Sequence, residues 1–407
     1  MMKEWLKHWV CTPYLKTTAI YVLLWAILWH PNSGFKNVVV WISASALLLS
    51  GIRRKRALHL GGLGVAIAIY LGVALLSTFL SRDVWFSLSQ WMKLFELATG
   101  YFIVVNLLSS GERVEISIHR YFMAAGLFAL GDLGRLLHGL HSQDPVLVHG
   151  RWFDSWLGYP TIAAGVYAAT LLLGLPTLLH AQQRRQWRRV LACLLMMVGL
   201  VVLLYFLQTR SVLLGLGFGV TTIIILAPLP RRFQAGVITT VVLVLAAFVS
   251  IPGQFRERVL SPETSDRAAI WQDVDRIIDQ SAEAPYRHWI GFGYGHKMFE
   301  RLHATLPRAE RSAQLVYNHA HNMFLETRIQ TGYAGLAAWI ALLALATYRL
   351  AVAFPTTAYP RRRMVAACLA GAAVAFLIYG QFSLFFAMTP ALFFWTLLAA
   401  CMAQARA

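Results

Sequence analysis

The chain has 407 residues, 58% of them hydrophobic and only 13% charged, with a formal net charge of +18, whereas a soluble domain is about 45–50% apolar with roughly a quarter of its residues charged. Apolar runs of bilayer-spanning length, about 17–25 residues, recur along it, so we read an all-α polytopic membrane protein; their continuous apolarity, without strand-like alternation, excludes a transmembrane β-barrel. The basic excess lies mostly in short connections, where it reports orientation and affinity for anionic membrane lipid, and nucleic acid is not an expected partner.

Twelve apolar segments are expected as transmembrane helices, near residues 17–30, 37–51, 58–80, 91–108, 121–138, 160–180, 190–207, 212–228, 235–251, 320–349, 364–381 and 389–403. The opening MMKEWLKHWVCTPYLK has no small-residue cleavage site after its apolar run, and reads as a retained first helix. Alternating sides gathers Lys3, Lys7, Lys16, RRKR at 53–56, Arg113, Arg120, RRQWRR at 184–189, Arg231, Arg232 and RRR at 361–363 on one face. The positive-inside rule makes that face cytoplasmic, with both termini. Cys11, Cys193, Cys368 and Cys401 sit in or beside apolar runs without close pairs, so neither a disulfide framework nor a zinc knuckle is expected.

The opposite face carries one long polar insertion, dividing the chain into helices 1–9 over 1–251, a loop subdomain over 252–318 and helices 10–12 over 319–407. Within the insertion, 265–278 places Ile270, Val274, Ile277 and Ile278 on one side, away from Asp266, Asp273, Asp275 and Arg276, as in an amphipathic helix lying over the membrane mouth. GFGYG at 291–295 reads as a turn that lets backbone approach a ligand. It lacks the strand-turn-helix context of a dinucleotide loop. A second short helix is expected over 297–306.

The stretch NHAHNMFLETRIQTGYAG at 318–335 then runs into the apolar 336–350. Polar and ionisable side chains at a membrane mouth are costly and mark function by default, which singles out His319, His321, Asn322, Glu326 and Arg328. If Asn318 caps the entering helix, His321 occupies its first turn, where the helix dipole disfavours imidazolium and leaves a neutral ring able to accept a proton. The competing readings are a polar anchor at the interface and metal ligation by His319 and His321. On a helix those two rings diverge by about 200°, and no carboxylate stands at ligand spacing, so no metal is assigned. Asn322 and Glu326 share a face at i, i+4, and Glu326 either orients polar groups near His321 or pairs with an arginine such as Arg328.

Isolated arginines lie on the same face. Arg210 interrupts two apolar segments in QTRS, and Arg267 stands four residues before Trp271 in RAAIW. Two planar guanidiniums suit a pyrophosphate, each bonding two oxygens at once; snorkelling of Arg210 and simple exposure of Arg267 are the alternatives. Arg82 is a weaker third candidate, expected to pair with Asp83. His138, His141, His149, Trp152 and Trp156 form a rim read as interfacial belt or, less readily, as a sugar-stacking platform.

HNMFLETRIQTGYAG, preceded by the long outer loop after the ninth apolar segment, resembles the signature of the O-antigen ligase and polymerase superfamily. The His-Asn entering a helix and the Gly-x-x-Gly-Leu beyond it fall here on His321, Asn322, Gly332, Gly335 and Leu336. The Thr209-Arg210-Ser211 junction, the Arg267 to Trp271 spacing and GFGYG are similar to further motifs of that family.

The resemblance implies a twelve-helix membrane glycosyltransferase of the C type in the inner membrane, with a periplasmic active site. It would move a glycan from an undecaprenyl-pyrophosphate-linked donor to a sugar hydroxyl of lipid A core, with inversion and without cofactor or metal. His321 would be the general base; Arg210 and Arg267 would bind the pyrophosphate, with Arg82 as an auxiliary, and Asn318, His319, Asn322 and Glu326 would support them. O-antigen polymerases and protein O-oligosaccharyltransferases share the resemblance. The 139–159 loop, short and with Arg151 as its one arginine, tilts the reading to ligase. The reading from another class is a lipid or solute transporter, which would place polar breaks at the bilayer midplane.

Overall fold

The computed structural model describes residues 38–45, 47–48, 59–108, 111–142, 148–149, 152–153, 155, 157, 160–207, 209–227, 235–236, 239, 267–279, 285–312, 317–356, 360–383, 385 and 388–405. The expected first span, part of the second and most of the ninth, together with Lys3, Lys7, Lys16, 53–56, Arg231 and Arg232, lie outside the described residues.

Helices α1 (Gly64–Phe79), α2 (Val84–Leu107), α3 (Gly111–Ser142), α4 (Pro160–Gln183), α5 (Trp187–Leu207) and α6 (Arg210–Leu226) precede the insertion. Within it lie α7 (Arg267–Asp279), α8 (Tyr286–Ile290) and α9 (Met298–Thr305); α10 (Met323–Thr356), α11 (Pro360–Gly380) and α12 (Met388–Gln404) follow. Four described helices, α4, α5, α10 and α11, are long and apolar enough to cross a membrane, and α1, α6 and most of α12 are shorter apolar helices. The helical expectation has one local exception: β1 (Val148–His149) pairs antiparallel with β2 (Trp152–Phe153). Helix α2 starts seven residues before its apolar run because the Asp83 carboxylate accepts from Phe86 N at 3.0 Å and caps it.

Association of helices in lipid lacks a hydrophobic drive between them, so close approach of small residues matters. Helix α11 is buried along most of its length and meets α6 through facing glycines. A Cβ on Gly219 would lie 2.7 Å from the Gly371 carbonyl oxygen, and one on Gly371 2.6 Å from that of Gly219. Around this seam Trp339, Phe376, Phe385, Phe394 and Trp395 form one aromatic cluster. Asp132 in α3 is fully buried. It accepts hydrogen bonds from Ser155 and, at 2.6 Å, from the Tyr167 hydroxyl, which ties residue 155 to the bundle.

The two ends of the bundle differ. At one end Arg361 at the start of α11 ion-pairs with Glu115 near the start of α3 and reaches His180 near the end of α4, beside the basic turn between α4 and α5. At the other, the Ser77 hydroxyl of α1 donates to the Gln330 carbonyl of α10 at 2.5 Å. The 318–335 stretch therefore sits at the end away from Arg361 and the basic turn at 184–186.

A second apolar core joins the insertion to the first turns of α10, with Ile270, Val274, Ile277, Phe299, Ala320 and Ile329 in contact. The expected amphipathic helix is thus present as α7, and the expected helix over 297–306 as α9. Asp273, however, does not face outward. It is fully buried, accepting from His303 at 2.9 Å, from Ser312 N at 2.7 Å and from Arg276 at 3.1 Å. Helix α10 is broken at Gly332, whose φ of 65° is open to glycine without a Cβ clash. The break admits the backbone of Trp289 and Ile290, which a Cβ on Gly332 would strike. The GFGYG turn uses its freedom in the same way: Phe292 N and Gly293 N donate to the carbonyls of Ile329 and Gln330 at 2.9 and 3.2 Å. Its backbone approaches α10 where the sequence suggested a ligand.

Candidate active site

Asn322, and not Asn318, caps α10: its side-chain oxygen accepts from Phe324 N and Leu325 N at 2.9 and 3.1 Å, while Asn318 is exposed. His321 consequently precedes the helix. It holds a left-handed φ of 51°, a conformation uncommon outside glycine that persists only where the surroundings enforce it. They do so through the Ala320 peptide. Its N–H donates to Glu326 Oε2 at 2.8 Å, and its carbonyl accepts from Trp271 Nε1 of α7 at 3.1 Å. Glu326, buried, also accepts from Gln330 Nε2 at 2.9 Å. The carboxylate therefore clamps the turn between the two histidines; Arg328 pairs instead with Asp275 at 2.8 Å.

The clamp brings the rings of His319 and His321 to 3.9 Å between centroids. The sequence expected divergence because it placed both on the helix. Both Nδ1 atoms are buried and, among the described residues, have no hydrogen-bond partner. His321 hydrogen-bonds the Phe382 carbonyl, so Nε2 is its donor and Nδ1 carries the lone pair. Burial, reinforced by the charge of Arg267, pushes the His321 imidazole down to about 4 against the opposing pull of that carbonyl. Burial first, then His321 and His296, pushes His319 down to about 3. The ring is neutral near pH 7, as expected, though desolvation and a guanidinium hold it so, where the sequence invoked the helix dipole.

Arg267, the first residue of α7, donates from Nη2 to the same Phe382 carbonyl at 3.0 Å, and its guanidinium lies 5.4 Å from the centre of the Phe382 ring. Its pKa is lowered by burial and then by the positive charge of Arg210, which opens α6. Two like charges bearing on one another beside a neutral base form an arrangement that a bound anion would relieve. His296, His319, His321, Glu326 and Ser383 line one cleft at this point.

Residues 195–340 match the family described as O-antigen ligase. Over this segment the chain is similar to that family. The matched segment contains Arg210, Arg267, His319, His321, Asn322 and Glu326, and the family supports a membrane enzyme of glycosyltransferase type. No curated protein matches the chain.

Other expected residues lie apart from this cluster. Arg82 is exposed, and its expected partner Asp83 binds Arg301 at 2.6 Å instead; no contact among the described residues links Arg82 to the cleft. His138 and His141 are exposed near the end of α3, and His149 pairs with Trp152 in the β-hairpin; Trp156 lies outside the described residues. Among the described residues no three His, Cys, Asp or Glu side chains converge as a metal-binding group. Sequence reading missed His296, whose one sequence-level signal is its place directly after GFGYG, and missed the role of Phe382, whose backbone carbonyl is the shared acceptor.

Proposed function

We propose that this protein is an O-antigen ligase of the inner membrane, active at its periplasmic face, which transfers glycan from undecaprenyl pyrophosphate to a sugar hydroxyl of lipid A core. The observation carrying this reading is the Phe382 carbonyl shared by Arg267 and His321, which sets an anion-binding group and a neutral imidazole against one atom. The division into spans over 1–251 and 319–407 about a loop subdomain at 252–318 belongs to the same proposal.

In this reading Arg210 and Arg267 bind the pyrophosphate. The acceptor hydroxyl gives its proton to His321 Nδ1 while its oxygen attacks the anomeric carbon from the face opposite the leaving group. The bond from that carbon to the phosphate oxygen breaks, and the pyrophosphate departs with the electron pair, inverting the centre. A positioned base is worth about 10²–10⁴ in rate. Fixed guanidiniums stabilise the charge that grows on the leaving oxygen without having to reorganise. Donor binding also prepares the base, because the pyrophosphate offsets the charge of Arg267 and raises the proton affinity of His321. Asn322 and Glu326 hold the turn, and His319 packs against the base.

The test is transfer by purified protein in lipid vesicles with EDTA present, supplied with lipid-linked O-antigen and lipid A core. Ligated core supports the reading. Lengthening of the lipid-linked donor with the core untouched would make the protein a polymerase, and movement of donor across the vesicle without a new glycosidic bond would make it a transporter.

A further inference from the structure

His296 follows the GFGYG turn and lines the same cleft as His319 and His321. Its Nδ1 lies 2.9 Å from Gln90 Oε1 in α2, and Lys93 Nζ donates to that same oxygen at 3.3 Å. An ammonium only donates, so the atom between them is the amide oxygen, and His296 Nδ1 must carry the hydrogen. Nε2 is then a lone pair, and among the described residues it has no hydrogen-bond partner. Burial, with Lys93 and Lys297 adding to it, pushes the ring down to about 4 and keeps it neutral.

Beside His319, the residues lining this cleft thus include two imidazole acceptors from separate segments whose hydrogen bonds fix which nitrogen is the acceptor, Nδ1 of His321 and Nε2 of His296. A single base removes a proton from whichever hydroxyl reaches it, and a sugar offers several. A second fixed acceptor selects among them, because an acceptor lacking the matching hydroxyl leaves a desolvated lone pair unpaired. Resting on the transfer reading above, we propose that His296 is a specificity residue. Its Nε2 accepts a hydrogen bond from a second hydroxyl of the acceptor sugar, distinct from the one whose proton goes to His321. The acceptor class is accordingly a sugar bearing at least two free hydroxyls.

The experiment measures kcat/KM of the full-length protein in vesicles for core acceptors deoxygenated one position at a time. The variants are His296→Ala, His296→Asn, which keeps a donor to Gln90 but removes the acceptor at Nε2, and His296→Gln, which keeps an acceptor near Nε2. We expect one deoxy acceptor to lose about tenfold with wild type. His296→Ala and His296→Asn should lose about tenfold on the intact acceptor and nothing further on that deoxy acceptor, and His296→Gln should recover part of the loss. Recovery by His296→Asn and not His296→Gln would show that the Gln90 contact alone matters and overturn the proposal. So would an equal loss on every acceptor, or no loss at all. Retained transfer by His321→Ala would refute the base assignment instead, and leaves the His296 comparison readable by itself.

Discussion

Arg267 and His321 meet at a single acceptor: the Phe382 carbonyl receives the guanidinium Nη2 at 3.0 Å and the imidazole of His321. A carbonyl oxygen has two lone pairs, so one backbone atom in the turn after α11 positions groups contributed by the insertion and by the approach to α10. The guanidinium also adds to burial in keeping the imidazole neutral. Removing it as Arg267→Gln should raise the His321 pKa above about 4 toward the ordinary value near 6.5. The acid limb of the pH profile for kcat/KM should then move to higher pH while overall activity falls. An unmoved limb would separate the two residues.

The three cleft histidines make stability depend on pH in a stated direction. Their folded values, about 4 for His296 and His321 and about 3 for His319, lie below the unfolded value near 6.5. Above that value the rings are neutral in both states, and the shifts cost nothing. As pH falls from about 6.5 toward about 4 the unfolded chain takes up protons that the fold refuses, so stability declines across this window. The unfolding temperature in detergent should drop by roughly 5 °C or more between pH 7 and pH 4.5. Replacing His319 and His296 with Gln should flatten the decline.

In the proposed mechanism Glu326 acts on transfer through the Ala320 peptide, whose N–H donates to it. Glu326→Ala frees that N–H and relaxes the left-handed His321, so transfer should fall by about 10²-fold, as when a reacting group is misplaced by about 1 Å, with donor affinity unchanged. Glu326→Gln keeps a carbonyl acceptor for Ala320 N and should be milder. Equal loss of donor binding and turnover would contradict this.

Asp273→Ala should destabilise the insertion by about 3–5 kcal/mol, since it leaves the buried His303 and the half-buried Ser312 N without this partner. Limited proteolysis should cut between α7 and α10 in this variant and spare the wild type.

The seam between α6 and α11 tolerates no Cβ on Gly219 or Gly371 without a shift of backbone. Gly371→Val should lower the yield of folded protein in the membrane, whereas valine at Gly72, where a Cβ meets open space, should not.

Periodicity made α7 legible, because Ile270, Val274, Ile277 and Ile278 repeat at helical spacing and all are buried. It did not reveal that Asp273 turns inward, since its partners His303 and Ser312 are 30 and 39 residues away. The apolar run over 320–349 concealed the break at Gly332 for the same reason: the cause is the backbone of Trp289 and Ile290 arriving from the insertion. Asn318 and Asn322 are equally good caps by residue type. The clamp on Ala320 decides between them, and one of its two bonds, from Trp271, spans 49 residues. His321, Arg210 and Arg267 were legible as costly polar groups at a membrane mouth, while His296 became visible through Gln90, 206 residues distant.

The most direct test of the central claim is single-turnover transfer from lipid-linked O-antigen to lipid A core, with donor affinity measured alongside, for wild type, His321→Ala and Arg267→Ala. The account predicts that His321→Ala binds donor normally and slows transfer by about 10²–10⁴-fold, whereas Arg267→Ala loses donor affinity as well as rate. Transfer by His321→Ala at the wild-type rate would contradict it.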